Sequence, residues 1–210
     1  MSHYRSRHKS ILAAGADKYR PARFKYKCKP LTSTVPSLHL ISSVDTPKKA
    51  TALNLGRASL SPPAPTPVNI HIQINTSSES SKSGVSPGPE TAELAKHILE
   101  NCPHLHLLGL MTIGAIARSQ AAKEGEENED FVCLREERDR LKRELVGCGL
   151  LSVRREGGEG GLECSMGMSE DFEEAVRAGS GEVRVGSTIF GVRLKREELS
   201  VMGGREEGKA

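Results

Sequence analysis

The chain has 210 residues, 36% hydrophobic and 27% charged, with a net charge of +3, the make-up of one water-soluble domain. No apolar run reaches the length of a membrane span. The basic excess is gathered near the N-terminus rather than on a later segment, which argues against a nucleic-acid groove.

The five cysteines are odd in number and include no Cys-x-x-Cys pair, so they read as reduced thiols. The N-terminus has no apolar core of a secretory signal, and a cytoplasmic location follows. A mitochondrial presequence is the alternative, since Arg5, Arg7, Lys9, Lys18, Arg20 and Arg23 face only Asp17. Gly15, Ala16 and Pro21 would make that presequence a poor amphipathic helix.

From about residue 37 short apolar runs alternate with helical patterns. Residues 38–44 (LHLISSV) read as a strand. Residues 46–60 read as a helix with Lys48 and Lys49 outward and Ala52, Leu53 and Leu55 available for burial. The prolines of 61–67 (SPPAPTP) force a loop. Residues 68–74 (VNIHIQI) alternate apolar and polar and form the clearest strand.

A Ser/Gly/Pro-rich loop over 75–89 leads to a helix over 90–101, with Leu94, Ala95, Ile98 and Leu99 on one face. Residues 105–113 (LHLLGLMTI) are apolar almost throughout, as a strand covered on both sides should be. After a charged loop over 119–128, Phe131, Leu134, Leu141 and Leu145 mark a helix that Gly147 stops. A flexible GGEGG (157–161) precedes a strand over 162–166. Ser169 then caps a helix with Glu170 and Asp171 in its first turn, and Gly179 ends it. Residues 182–186 (EVRVG) form the fifth strand, and the Gly-rich charged tail over 194–210 reads as disordered.

Strands alternating with helices imply a parallel sheet with right-handed crossovers, either doubly wound or a (β/α)8 barrel. Periodicity does not choose between them. In both, ligands sit at the C-terminal ends of the strands. Barrels often hold phosphate in the loops after their last two strands. Here those loops carry Ser165-Met166-Gly167 and Gly186-Ser187, rich in backbone donors and free of bulk. The alternative for each is an ordinary tight turn. Arg184 alternates with Val183 and Val185 and so faces away from the helices; a buried arginine needs an acceptor, either a ligand or a structural carboxylate. His39, His71, His104 and His106 are scattered over different elements and show no metal spacing. No Gly-x-Ser-x-Gly elbow supports hydrolase chemistry.

Five strings together resemble one family: SVDTPKKA (43–50), IQINTSSESSKSGV (72–85), GLMTIGA (109–115), NEDFVCLREERDRLKREL (128–145) and SMGMSEDFEEAVRAGSGEVRVGSTIFGVR (165–193). They are similar to the pyridoxal 5'-phosphate (PLP) homeostasis proteins, and most like fungal members. The resemblance implies an alanine-racemase-like (β/α)8 TIM-type barrel that binds PLP without catalytic turnover, is monomeric, and carries or buffers the cofactor. By position it implies that Arg184 approaches the pyridine nitrogen. Ser165, Gly186 and Ser187 would hold the phosphate, with Met166 and Gly167 nearby.

The family's first strands, including a Ser-Lys-x-Lys-Pro string whose lysine forms the Schiff base, have no counterpart. Lys27-Cys28-Lys29-Pro30 matches instead the segment after the family's third strand. The expected domain is therefore about five C-terminal βα units over 26–193, N-terminally incomplete. A basic, unmatched segment (1–25) precedes it and the tail follows. PLP binding would be weak or non-covalent, and the open sheet edges would allow self-association. The alternatives are a PLP-dependent racemase-like enzyme and an interaction fragment.

Overall fold

Local signals place each element of the computed structural model, which describes residues 28–61, 66–79, 82–115, 127–151 and 161–191. The chain runs α1 (Cys28–Thr34), β1 (Leu40–Val44), α2 (Pro47–Ala58), β2 (Val68–Gln73), α3 (Pro89–Asn101) and β3 (Leu105–Met111). It continues through α4 (Glu129–Gly147), β4 (Glu163–Met168), α5 (Phe172–Arg177), β5 (Glu182–Arg184) and a single-turn α6 (Ser187–Phe190). Thr46 caps α2, its hydroxyl accepting from the Lys49 N–H at 3.2 Å. Proline occupies the first turn of both α2 and α3, where its missing N–H costs nothing.

All strand pairs are parallel and the sheet order is β1-β2-β3-β4-β5. A doubly wound sheet reverses its order at a switch point. This one advances strand by strand, as a barrel wall does, so the architecture is a half-barrel of (β/α) units. Its helix-side face is the core: Val68, Ile70, Ile72, Ile74, Leu107, Leu110, Cys164 and Met166 pack with Leu53, Leu94, Ile98, Phe131, Leu134, Leu141 and Leu145. The other face carries polar side chains, among them Ser42, His71, Glu163, Ser165, Glu182 and Arg184. Among the described residues no helix is long and apolar enough to cross a membrane.

The differences from the sequence reading fall at element ends. Leu55, expected to be buried, is 52% exposed on α2, because the core side of that helix is taken by Ala50, Leu53 and Asn54. Ile113 lies beyond the end of β3 and is exposed. Gly147 is the last residue of α4, and the left-handed turn that follows is made by Gly149 (φ 73°). Helix α5 starts at Phe172 after Asp171, with Glu173 and Glu174 as its first-turn acids, so Ser169 is not its cap. Strand β5 stops at Arg184. Lys27, residues 1–25, the tail from 194 onward and most of the 119–128 and 157–161 loops lie outside the described residues.

Candidate functional site

Ser165, Met166 and Gly167, expected in the loop after the fourth strand, lie inside β4 instead, because that strand runs to Met168; the loop that follows it, from Ser169, meets the Gly186-Ser187 loop. The Gly186 N–H donates to Ser169 Oγ at 3.0 Å, and the Thr188 hydroxyl reaches Ser169 O at 3.4 Å. This is where the Ser169 hydroxyl is used. Beside Gly186 an added Cβ would meet nothing within 4 Å, and Gly186 and Ser187 are both exposed. Gly167 has φ 92°, and a Cβ there would press on Ala175 of α5, so glycine is required both by the backbone and by the close approach of the helix. Met166 is fully buried with its side chain in the core, and its N–H donates to Ser180 Oγ at 3.1 Å. It therefore supports the loop from behind.

Arg184 is half-buried at the end of β5. Its Nη1 donates to Ser165 Oγ at 2.6 Å and Ser165 O at 3.3 Å, and its Nη2 donates to Thr112 O at 2.6 Å. The guanidinium thus ties the ends of β3, β4 and β5 together. Its acceptors are a hydroxyl and two carbonyls rather than a paired carboxylate. Three bonds leave further N–H donors of the five an arginine carries. Burial pulls the guanidinium below its ordinary pKa, and the charges of Glu182 and Asp171 oppose that.

Ser165 is fully buried. Arginine can only donate, so the hydroxyl accepts from Arg184 and gives its own proton to Glu182 Oε2 at 2.6 Å. Ser165 therefore holds Arg184 in place.

Two groups went unseen in the sequence. In the first, register sets His71 beside Gly109 and Gly109 beside Glu163. With no side chain on Gly109, His71 Nε2 reaches across β3 to Glu163 Oε1 at 2.8 Å. A Cβ on Gly109 would collide with the Glu163 backbone. In the second, Asp130 is wholly buried at the start of α4. Its carboxylate accepts from the Thr76 hydroxyl and the Ala115 N–H, both at 2.8 Å. Thr76 Oγ1 lies 2.8 Å from Thr112 Oγ1, which takes the Gly114 N–H at 3.1 Å. This cluster locks the ends of β2 and β3 on the rim where Arg184 points. Among the described residues no group of three or more His, Cys, Asp or Glu is placed to hold a metal ion.

The family described as "Alanine racemase, N-terminal domain" matches over residues 28–194. The chain belongs to that family. Within the alanine racemase N-terminal domain family, the chain is 41% identical over 167 residues to the "Pyridoxal phosphate homeostasis protein" of Schizosaccharomyces pombe, covering 80% of this chain and 61% of that protein. It is 39% identical over 159 residues to the protein of the same name from Homo sapiens, covering 76% and 52%. The chain thus spans between half and two thirds of these relatives' length. Its backbone resembles that of PipY of Synechococcus elongatus with PLP bound, at TM-score 0.57 and 23% identity, over 80% of this chain and 66% of that one. A crystal structure described as "an unknown protein from Bifidobacterium adolescentis" is similar at TM-score 0.54 and 31% identity, over 75% of this chain and 55% of that one.

Proposed function

We propose that this chain binds PLP non-covalently and serves its homeostasis inside the cell as a carrier or buffer without turnover. The observation that carries the reading is Arg184, held by Ser165 and Thr112 at the C-terminal ends of the strands, beside the open backbone at Gly186. The residues present fit the group. Arg184 retains donors for the pyridine nitrogen, and the exposed Ser187 offers its hydroxyl to the phosphate beside the uncrowded Gly186, whose own N–H is given to Ser169 Oγ. Ser165 and Gly167 act behind them, by fixing the guanidinium and by letting α5 pack closely on β4, and Met166 contributes packing. PLP, when bound, supplies an electron-withdrawing ring and an aldehyde. An arginine at the ring nitrogen donates a hydrogen bond without giving up its proton, which leaves the ring a weaker electron sink. The names of the relatives and the family match over 28–194 support this reading and the proposed partial-barrel unit over 26–193.

The test is binding of PLP to the purified chain by absorbance and equilibrium dialysis, then borohydride treatment and mass spectrometry. The expected outcome is reversible binding with no lysine adduct, weakened about tenfold in Arg184→Leu, which removes hydrogen bonds made by a charged group. A single adduct on Lys27 would make the chain a covalent carrier, and no binding at all would end the proposal. Racemisation of amino acids in the same sample would favour the racemase-like reading.

A further inference from the structure

We propose that His71 is a positioning residue for Arg184, acting through Glu182 and Ser165, so that charge on its imidazole sets how firmly the guanidinium is aimed. The inference rests on the PLP reading for its purpose and on geometry for its existence. The imidazole is 0% exposed, although it lies on the polar face of the sheet. Among the described residues, each neighbouring strand on that face presents it a defined group. Strand β1 gives Ser42, whose Oγ is 3.3 Å from Nδ1. Strand β3 gives Gly109, without a side chain. Strand β4 gives Glu163, 2.8 Å from Nε2. Strand β5 gives Glu182, whose Oε2 is 3.6 Å from Nδ1, and, on the same side of the strand, Arg184.

Glu182 Oε2 is the shared point. It accepts the Ser165 proton, and Ser165 accepts from Arg184. With a neutral ring, the carboxylate of Glu163 fixes the proton on Nε2, and the Nδ1 lone pair takes the Ser42 hydroxyl. Among the described residues, Ser165 is then the donor to Glu182 Oε2. When a proton from solvent adds at Nδ1, the ring gains a second charged donor beside Oε2. It draws on the lone pairs and charge that hold Ser165. The Ser165 hydroxyl is released in proportion, and Arg184 loses its shortest acceptor. An imidazole is the side chain that ordinarily changes charge between about pH 5 and 8, so the site would hold PLP more firmly toward the neutral side of that range.

The experiment follows side-chain resonances of the full chain, without cofactor, across that pH range. The Arg184 Nε–H signal (assigned by Arg184→Lys) is recorded together with the His71 ring signal, and the PLP dissociation constant is measured on the same samples. The Arg184 signal is expected to shift with the same midpoint as His71. The dissociation constant is expected to change roughly fivefold over the range, the low end of coupling between sites. His71→Gln, which keeps a donor for Glu163 but cannot titrate, should leave the Arg184 signal flat and the dissociation constant with only the change that the cofactor's own phosphate brings, its second pKa being about 6. Should that variant not fold, Glu182→Gln keeps an acceptor for Ser165, removes the charge, and is also expected to erase the step in the Arg184 signal. An Arg184 signal that ignores His71, or a step in that signal that survives in either variant, overturns the proposal. An Arg184 signal that follows His71 in a chain that never binds PLP would leave the positioning link standing and remove the PLP reading instead.

Discussion

Buried polar atoms whose partners are counted out one for one leave no spare when a side chain is shortened. Asp130 gathers two buried donors. Removing its carboxylate in Asp130→Ala takes a 2.8 Å acceptor from both the Thr76 hydroxyl and the Ala115 N–H, at about 2–3 kcal/mol. Ser165→Ala removes one hydroxyl but two short bonds, each to a charged partner. Glu182 and Arg184 keep part of their hydration, so the expected loss is smaller, about 1–2 kcal/mol. Urea unfolding of both variants checks the order: Asp130→Ala should lower the midpoint more, with the slope unchanged.

At this scale Arg184 was legible in the sequence. Alternation with Val183 and Val185 fixes its face, and a buried guanidinium must find acceptors. The identity of those acceptors was not legible, because Thr112 O belongs to another strand and Ser165 offers only a hydroxyl. His71 was harder still. Its strand position gives its face, but Glu163 lies two strands away and is reached only because Gly109 intervenes. Such a contact is a property of register, and register is not written in either segment alone.

Helix α4 docks on α3 through a carboxylate network as well as an apolar stripe. Glu137, nearly buried, accepts the Gly88 N–H at 3.0 Å and is gripped by Arg140. Glu144 accepts from Lys96 at 2.7 Å and Arg140 at 2.8 Å. The Lys96 hydrogen bond first, then that from Arg140, holds the Glu144 carboxyl below its ordinary pKa. A depressed carboxylate stabilises the fold above its unfolded pKa, and that contribution is lost as pH falls through the folded one. The acid limb of the stability curve should therefore begin just below the ordinary carboxylate range and become shallower in Glu144→Gln. The pair is only half-buried, so added salt should shrink the difference; wild-type and variant curves that coincide at low salt would contradict it.

The same scale explains the misplaced start of α5. Ser, Glu and Asp in sequence look like a cap and an acidic first turn. The Ser169 hydroxyl instead takes the Gly186 N–H, and Asp171 Oδ1 takes the Met168 N–H at 2.7 Å. Both side chains fasten the loop, and the helix waits until Phe172. Gly109→Ala tests the sheet in the same way. Its methyl would press on the Glu163 backbone and stand between His71 and its carboxylate, with an expected loss of about 3 kcal/mol for overpacking.

A barrel removes its strand edges by closing, and closure needs a matched strand number and tilt. The described sheet instead ends at β1 on one side and β5 on the other, each with a row of backbone donors and acceptors facing outward. Strand β5 is three residues long, and its charged Glu182 and Arg184 side chains blunt it, as short charged edges do. Just beyond it, however, Ile189 is 61% and Phe190 69% exposed, apolar surface beside an open edge. We therefore expect the chain to self-associate as concentration rises, with the β5 end as the contact. Sedimentation velocity over a concentration series should show this for the wild type. The double variant Ile189→Lys, Phe190→Lys should shift the series toward monomer, because lysine at an edge opposes pairing through charge. A wild type that stays monomeric at every concentration would mean that the edge is covered by the chain itself.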